Sequence, residues 1–443
     1  MQKQQLSFWQ MWNLSFGFLG VQIAYALQSA NISRIFATLG ADPHQLSFFW
    51  ILPPLMGMIV QPLIGKWSDR TWCRMGRRKP YLLIGAIVAV LVMVFLPNAG
   101  SLNFSSRLLL GLNGAMWFGL FSLMLLDTSI NVAMQPFKMM VGDMVGEEQK
   151  AKAYSIQSLL CNAGSLVGYL FPIFFTWIGI ANTAPKGVIP PSVIWSFYCG
   201  AAILILCVLY TFAKVREMPP KEYAEFHGVD LQAQKEASAK EPGLMKLLLH
   251  APRTFWTVGL VQLFCWAAFM YMWTYTNGAV AVNCWGTSDP ASEGYQAAGN
   301  WVGVVFAAQA VGSILWSMVI PRFRSLKTAS VVSLLIGAAG FVSIAFIHNQ
   351  YLLFGSYFLI GTAWAAMLVT ASAGNHAQGV AYAARERGAK ATICMPQIVA
   401  AALGGPVLKL LGGVQANMLV LAGAFLVCGR LAVSLIKETK QSS

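Results

Sequence analysis

The stretch GKWSDRTWCRMGRRKP (Gly65–Pro80) sets six basic side chains and one acid, Asp69, between the apolar runs 46–66 and 80–97. About 20 apolar residues suffice for a helix to cross a bilayer, so two such runs flanking a short charged loop read as a membrane hairpin. The rest of the chain follows suit. Of 443 residues 57% are hydrophobic and 10% charged, with a mean hydropathy of +0.60, whereas a soluble domain carries about 25% charged residues. This composition excludes a water-soluble globule, because the apolar surface exceeds what one covered core can hide and has to face lipid. Runs bounded by charge and turn residues predict helices at 10–37, 46–66, 80–97, 111–138, 152–179, 192–213, 254–283, 299–320, 328–347, 351–373, 391–411 and 415–436. The expected fold class is an all-α membrane protein of twelve transmembrane helices.

A net charge of +14 would suggest a nucleic-acid partner in a soluble protein. Here its distribution reads as topology, and the lipid bilayer rather than nucleic acid is the expected neighbour. With the N-terminus inside, the basic clusters around 66–79, 150–152, 214–253, 322–327, 385–390 and 437–440 share one side. Arg34, Arg107, Lys186 and Lys409 fall toward the other, which leaves 26 of the 30 Lys and Arg inside. A multi-pass inner-membrane protein with both termini cytoplasmic is expected, as a monomer. The polar start Met1 to Gln5 and the long apolar run from Trp9 to Phe36 do not fit a cleavable signal. Eight cysteines without a C-x-x-C pair imply neither a disulfide framework nor a metal site. The polar stretch 214–252 separates an N-terminal six-helix half, 1–213, from a C-terminal one, 253–443, and is expected to be a cytoplasmic linker. A weak echo between LGVQIAYA from Leu19 and GLVQLFCW from Gly259 aligns Gln22 with Gln262.

Within the opening loop, Gly65 lets two helices approach, while Asp69 can cap a helix N-terminus and pair with an Arg, making a latch that can break. Gly65, Asp69, Arg70, Gly76, Arg77 and Arg78 are therefore the candidate gating residues. Their pattern resembles the G-x-x-x-D-R-x-G-R-R loop of the major facilitator superfamily, with the longer spacer of its sugar-symporter branch. GVQIAYALQ (20–28) and GMIVQPLIGKWSDR (57–70) resemble the corresponding helices of sucrose and maltose proton symporters, a glycoside-pentoside-hexuronide-like group. The similarity continues through LLDTSINVAMQPFK (125–138), VGD (141–143), NAGSLVGY (162–169) and PQIVAA (396–401). What this implies is a major facilitator fold of two six-helix halves.

Asp127 stands near the centre of the fourth predicted helix, where a charge is expensive and therefore usually functional. Asp127, Asn131, Gln135 and Lys138 recur at intervals of four, four and three, a narrow arc that forms a polar seam. Burial favours a neutral carboxyl and a nearby cation favours a charged one, so rearrangement can load and release a proton. In the resembled symporters the matching aspartate binds the proton, which implies proton coupling through Asp127 with Lys138. On the seventh helix Gln262, Trp266, Phe269, Trp273 and Asn277 mix rings with amides. A pyranose stacks its C–H face on rings and pairs its hydroxyls with amides, so Gln262, Trp266, Trp273 and Asn277 are candidate sugar ligands. Gln22, Tyr25 and Ser29 on the first helix, Asn131 on the fourth, and Gln157 and Asn162 on the fifth are candidate partners.

From Ala371 the text departs from the resembled family. SAGNHAQGVA and its continuation to Pro396 resemble a segment of PLP-dependent threonine dehydratases, in which Ser372, Gly374, Asn375 and His376 would lie in a substrate and cofactor loop. A PLP enzyme also needs a Schiff-base lysine and a Gly-rich phosphate cradle, and the chain carries no S-F-K-x-R-G-like or S-G-G-G-like segment. No cofactor and no enzyme activity are expected. Arg385, Glu386, Arg387 and Lys390 cannot lie deep in lipid, so the eleventh helix is expected to start near Ala391 and 371–395 to impair transport. The expected activity is proton-coupled symport of a disaccharide by alternating access. Another small solute, Na⁺ coupling, a non-transporting sugar sensor and a PLP lyase are the alternatives.

Overall fold

The computed structural model describes residues 5–71, 73–102, 104, 108–218, 253–376 and 382–435, and the side chains of 147, 151, 253–255 and 369–391 lie outside that description. Among the described residues are thirteen α-helices. They are α1 (Phe8–Thr38), α2 (Pro43–Phe49), α3 (Leu52–Arg70), α4 (Lys79–Phe95), α5 (Gly114–Met144), α6 (Glu147–Trp177) and α7 (Pro191–Lys214), then α8 (Arg253–Trp285), α9 (Glu293–Val319), α10 (Leu326–Ile344), α11 (Leu353–His376), α12 (Tyr382–Leu410) and α13 (Gln415–Val433). Short α2 continues into α3, so twelve long helices result. Ten spans are long and apolar enough to cross a membrane, with α2 and α3 counted together as Pro43–Arg70.

Local chemistry sets the starts. Asp42 caps α2 in a reciprocal capping box with Gln45, and Pro43 follows at the first helical turn. The side chains of Asn113, Ser292 and Ser325 accept backbone N–H bonds from Met116, Tyr295 and Thr328 at the starts of α5, α9 and α10. Helix α4 shows how the sequence divides its faces. Leu82, Gly85, Ala86, Ala89 and Met93 are buried, while Ile84, Ile87, Leu91 and Phe95, at intervals of three and four, are 44–58% exposed. The outward stripe is made of large apolar groups, which lipid allows and water penalises, while the inward face gathers Gly85, Ala86 and Ala89 beside Leu82 and Met93. Helix α1 falls outside the ten apolar spans, and its buried residues include Ser15, Gln28, Ser29, Asn31, Ser33 and Arg34 among apolar ones.

The chain divides into two compact units. One comprises α1 up to Ser29, the segment Met56–Ile180, and α7, with α4 packed against α5 and α7. The other comprises Ala30–Leu55, Ala181–Pro190 and α8–α13, with α8 packed against α12 and α13, α11 against α9 and α10, and α2 against α12. The linker expected at 214–252 is described only through Met218, and Arg107 also lies outside the described residues. In the region likened to threonine dehydratases, α11 runs on to His376 and α12 starts at Tyr382, earlier than the expected Ala391, while its apolar span is Thr392–Leu410. The first turns of α12 thus carry Arg385, Glu386, Arg387 and Lys390 ahead of that span. The side chains of these four residues, and of Ser372, Asn375 and His376, lie outside the described ones.

Candidate functional site

In the first unit, α5 carries Asp127, Asn131 and Gln135 on one buried face. Asp127 is 2% exposed, and its Oδ1 accepts a short hydrogen bond from Gln28 Nε2 of α1. Asp127 Oδ2 and Gln28 Oε1 are also buried and make no hydrogen bond among the described residues. Asn131 donates from Nδ2 to the Asp127 backbone oxygen at 2.7 Å, and its Oδ1 accepts from Gln61 Nε2 of α3 at 2.5 Å. One amide, from α1, thus meets the carboxyl group itself, while those of α5 and α3 form a chain that ends on the Asp127 backbone oxygen. Lys138, placed by its spacing on the same seam, has an exposed side chain. Gln22 and Tyr25 are half-buried on α1, Ser29 bonds back to the Ala26 carbonyl, Gln157 donates to the Phe137 carbonyl at 3.1 Å, and Asn162 donates to the Ser158 carbonyl of its own helix. Gln28 and Gln61 went unassigned in the sequence, although Gln28 follows Tyr25 by three residues and so lies near the face chosen on that helix.

In the second unit the aromatic and amide residues of α8 come together. Gln262 is buried, accepts from Trp266 Nε1 at 2.9 Å and donates to the Met367 carbonyl at 3.1 Å. Trp266 and Trp273 are half-buried, Phe269 and Asn277 buried. Two tryptophans not assigned from sequence complete the group. Trp364 of α11 meets Trp266, Phe269 and Trp273 edge-on with centroids at 5.6, 4.8 and 6.0 Å. Trp50 lies nearly parallel to Trp273 at 6.2 Å and donates to Ser33 Oγ at 2.8 Å. Offset and edge-on pairs are the arrangements the ring quadrupole favours, and the partly open faces of Trp266, Trp273 and Trp364 offer a ring platform.

The opening loop forms a charged clamp inside the first unit. Arg78 pairs with Asp69 at 2.6 Å and with Asp143 at 3.0 Å, Arg77 pairs with Asp143 at 2.5 Å, and Arg78 also bonds Ser68. Asp69 pairs with an arginine as expected but caps no helix start, since it lies in the last turn of α3, and the start of α4 is capped by Glu217 instead. That carboxylate accepts from the backbone N–H groups of Arg77, Arg78 and Lys79 at 2.6–3.0 Å. These are the unpaired donors of a helix start, where negative charge is favoured. Gly76 has φ +112, and a Cβ there would lie 2.7 Å from the Glu217 carboxyl carbon, so the turn needs glycine twice over. Gly65 is buried in α3 and Arg70 is exposed at its end. Asp143 was legible as part of VGD but had no partner assigned, and Glu217 was hidden in the linker. Asp143→Ala strips the shared carboxylate from two buried arginines and is expected to cost about 3 kcal/mol. Asp69→Ala, at a group 49% exposed, is expected to cost under about 1 kcal/mol. Thermal melting in detergent checks the order.

These features fit what the chain resembles. Residues 14–392 match the family model described as Major Facilitator Superfamily. The sucrose transport protein SUT1 of Oryza sativa subsp. japonica is 27% identical over 217 residues, which are 46% of this chain and 40% of that one. The proton-associated sugar transporter A of Mus musculus is 28% identical over 175 residues, 38% of this chain and 22% of that one. The chain thus aligns with less than half the length of these curated relatives. The crystal structure of a bacterial homologue of the human lysosomal transporter Spinster, inward-facing and occupied, has 14% identity and a TM-score of 0.65 over 97% of this chain and 96% of that one. The match extends to residue 392, through most of the segment likened to threonine dehydratases, and it is with membrane transporters rather than enzymes. The chain belongs to the Major Facilitator Superfamily.

Proposed function

We propose that the protein is a secondary active transporter that couples inward movement of protons to that of a disaccharide of the sucrose or maltose type, by alternating access. The observation that carries this reading is the buried Asp127 carboxyl met by an amide, in a helix whose neighbouring polar groups are amides as well. A neutral carboxyl presents one donor and one acceptor, and here one oxygen accepts from Gln28 while the other is buried and makes no hydrogen bond among the described residues. A carboxylate presents acceptors alone, and one donor answers only part of them, which makes the charged form the costlier one in this burial. A group with two such states, buried in the span of α5, suits a proton that is taken up and released once per cycle. The polar seam includes Asn131 and continues toward Lys138, which in this reading tunes that proton. Names of relatives that include sucrose and proton-associated sugar transport support the same assignment.

Sugar recognition is assigned to Gln262, Trp266, Trp273 and Asn277, with Gln22, Tyr25, Asn131 and Gln157 as further ligands. The tryptophan platform gives a pyranose ring a flat face, and the amides give its hydroxyls donors and acceptors. The charged clamp around Gly65, Asp69, Arg70, Gly76, Arg77 and Arg78 is the gating loop of the cycle. The charge asymmetry supports an inner-membrane location with both termini cytoplasmic.

Purified protein in proteoliposomes tests the coupling. A pH gradient is expected to drive sucrose or maltose accumulation, and Asp127→Asn is expected to abolish accumulation while sugar binding persists. Accumulation that follows Na⁺ instead, or that is unchanged in the variant, overturns the proton assignment. Trp273→Ala removes a stacking face worth about 1 kcal/mol, so the half-saturating sugar concentration should rise about fivefold with the maximal rate nearly unchanged. Reporter fusions after Ser443 and in the 214–252 segment should both report the cytoplasm.

A further inference from the structure

Arg34 has no part in the reading above, yet it is among the most completely enclosed charges described. It lies on α1, is 1% exposed, and its guanidinium meets three side-chain amide oxygens. Nε donates to Gln296 at 2.6 Å, Nη1 to Asn300 at 2.8 Å and Nη2 to Asn182 at 2.8 Å. Among the described residues the ion pairs are those of the loop clamp, and none involves Arg34. Among the described residues this cation is thus met by neutral dipoles.

The surroundings are fitted to it. Gln296 and Asn300 stand one turn apart on α9 and share a face. Gln296 Nε2 donates to Thr38 Oγ1 at 3.1 Å and to the Pro290 carbonyl at 2.6 Å, which leaves Oε1 turned toward the guanidinium. Gly299 lies between the two amides, and a Cβ at that position would come within 2.5 Å of Arg34 Cδ and Nε. The third oxygen belongs to the segment Ala181–Pro190, between α6 and α7. Lys186 of that segment, with Thr38 and Gln296, lines a cavity of about 230 Å³. One guanidinium therefore joins α1, α9 and the 181–190 segment, a task for which its planar fork of donors is suited.

The choice of amides matters. Separating a guanidinium from a carboxylate in a dry interior exposes two uncompensated charges. Releasing it from amide oxygens leaves one charge and some dipoles, a smaller loss than that of two opposite charges. We propose that Arg34 is a positioning residue of the transport cycle, a reversible tie that holds α1 and the 181–190 segment to α9 in the state seen here and releases them in the other. The proposal rests on the alternating-access reading but not on the identity of the sugar or ion.

Hydrogen exchange of the purified full-length protein in detergent tests it without any substrate, and sugar counterflow in proteoliposomes tests its consequence. Arg34→Gln should raise backbone exchange in 181–190 and in the first turns of α9 at least threefold while α4 and α5 keep wild-type rates. Asn300→Asp, which gives the guanidinium a carboxylate, should slow exchange in the same places and lower the maximal counterflow rate with the half-saturating sugar concentration unchanged. Asn182→Ala, which frees the loop arm alone, should raise exchange in 181–190 and serves in place of Arg34→Gln if that variant fails to fold. Unchanged exchange in 181–190, an even rise that includes α4 and α5, or faster counterflow in Asn300→Asp would overturn the proposal.

Discussion

A charge buried among helices has little water to answer it, so each must be answered by a group that the fold delivers. The protein meets this constraint in three ways. Arg77 and Arg78 receive carboxylates, with Asp143 shared between them. Arg34 receives amide oxygens from two helical positions and a loop. Asp127 receives one amide and keeps an oxygen without a hydrogen-bond partner among the described residues. The strength of the answer differs in each case, and with it the freedom of the charge to change its surroundings.

The clamp is the most fully satisfied of the three. Carboxylates from α3 and α5 converge on Arg77 and Arg78, while Glu217 closes the start of α4 from beyond the end of α7. Its contribution is graded by exposure, because the half-exposed Asp69 competes with solvent and the more buried Asp143 does not. The seam around Asp127 is the least satisfied, and an incompletely answered polar group in a membrane protein is where function concentrates. In a transporter of this superfamily, that contrast suits a rigid frame beside the group proposed above to exchange a proton.

Packing complements the electrostatics. Bulky residues such as Ile84 and Leu91 occupy the exposed stripe of α4, while Gly85, Ala86 and Ala89 face its neighbours. Small inward residues let helices approach closely, since lipid supplies little hydrophobic drive for them to associate. Helix α1 departs from this pattern because polar side chains stand among its buried apolar ones, and these supply both Gln28 to Asp127 and Arg34 to α9.

Apolar runs bounded by charge and turn residues located the twelve long helices, ten of them within spans long and apolar enough to cross a membrane, because about 20 apolar residues have few alternatives to a membrane helix. They also singled out Asp127, since an isolated acid in an apolar run stands out without any structure. Helical spacing was enough to place Asn131 and Gln135 on the same face as Asp127, and Trp266 and Trp273 on the face of Gln262. Partners from distant sequence were another matter. Gln28 for Asp127, Asp143 for Arg77, Glu217 for the start of α4, Trp364 for Trp273 and the three amides around Arg34 are separated from their targets by 66 to 266 residues. Spacing within a helix reports which residues share a face, but not which other face meets it. That choice is made by helix packing, and only the tertiary structure decided it.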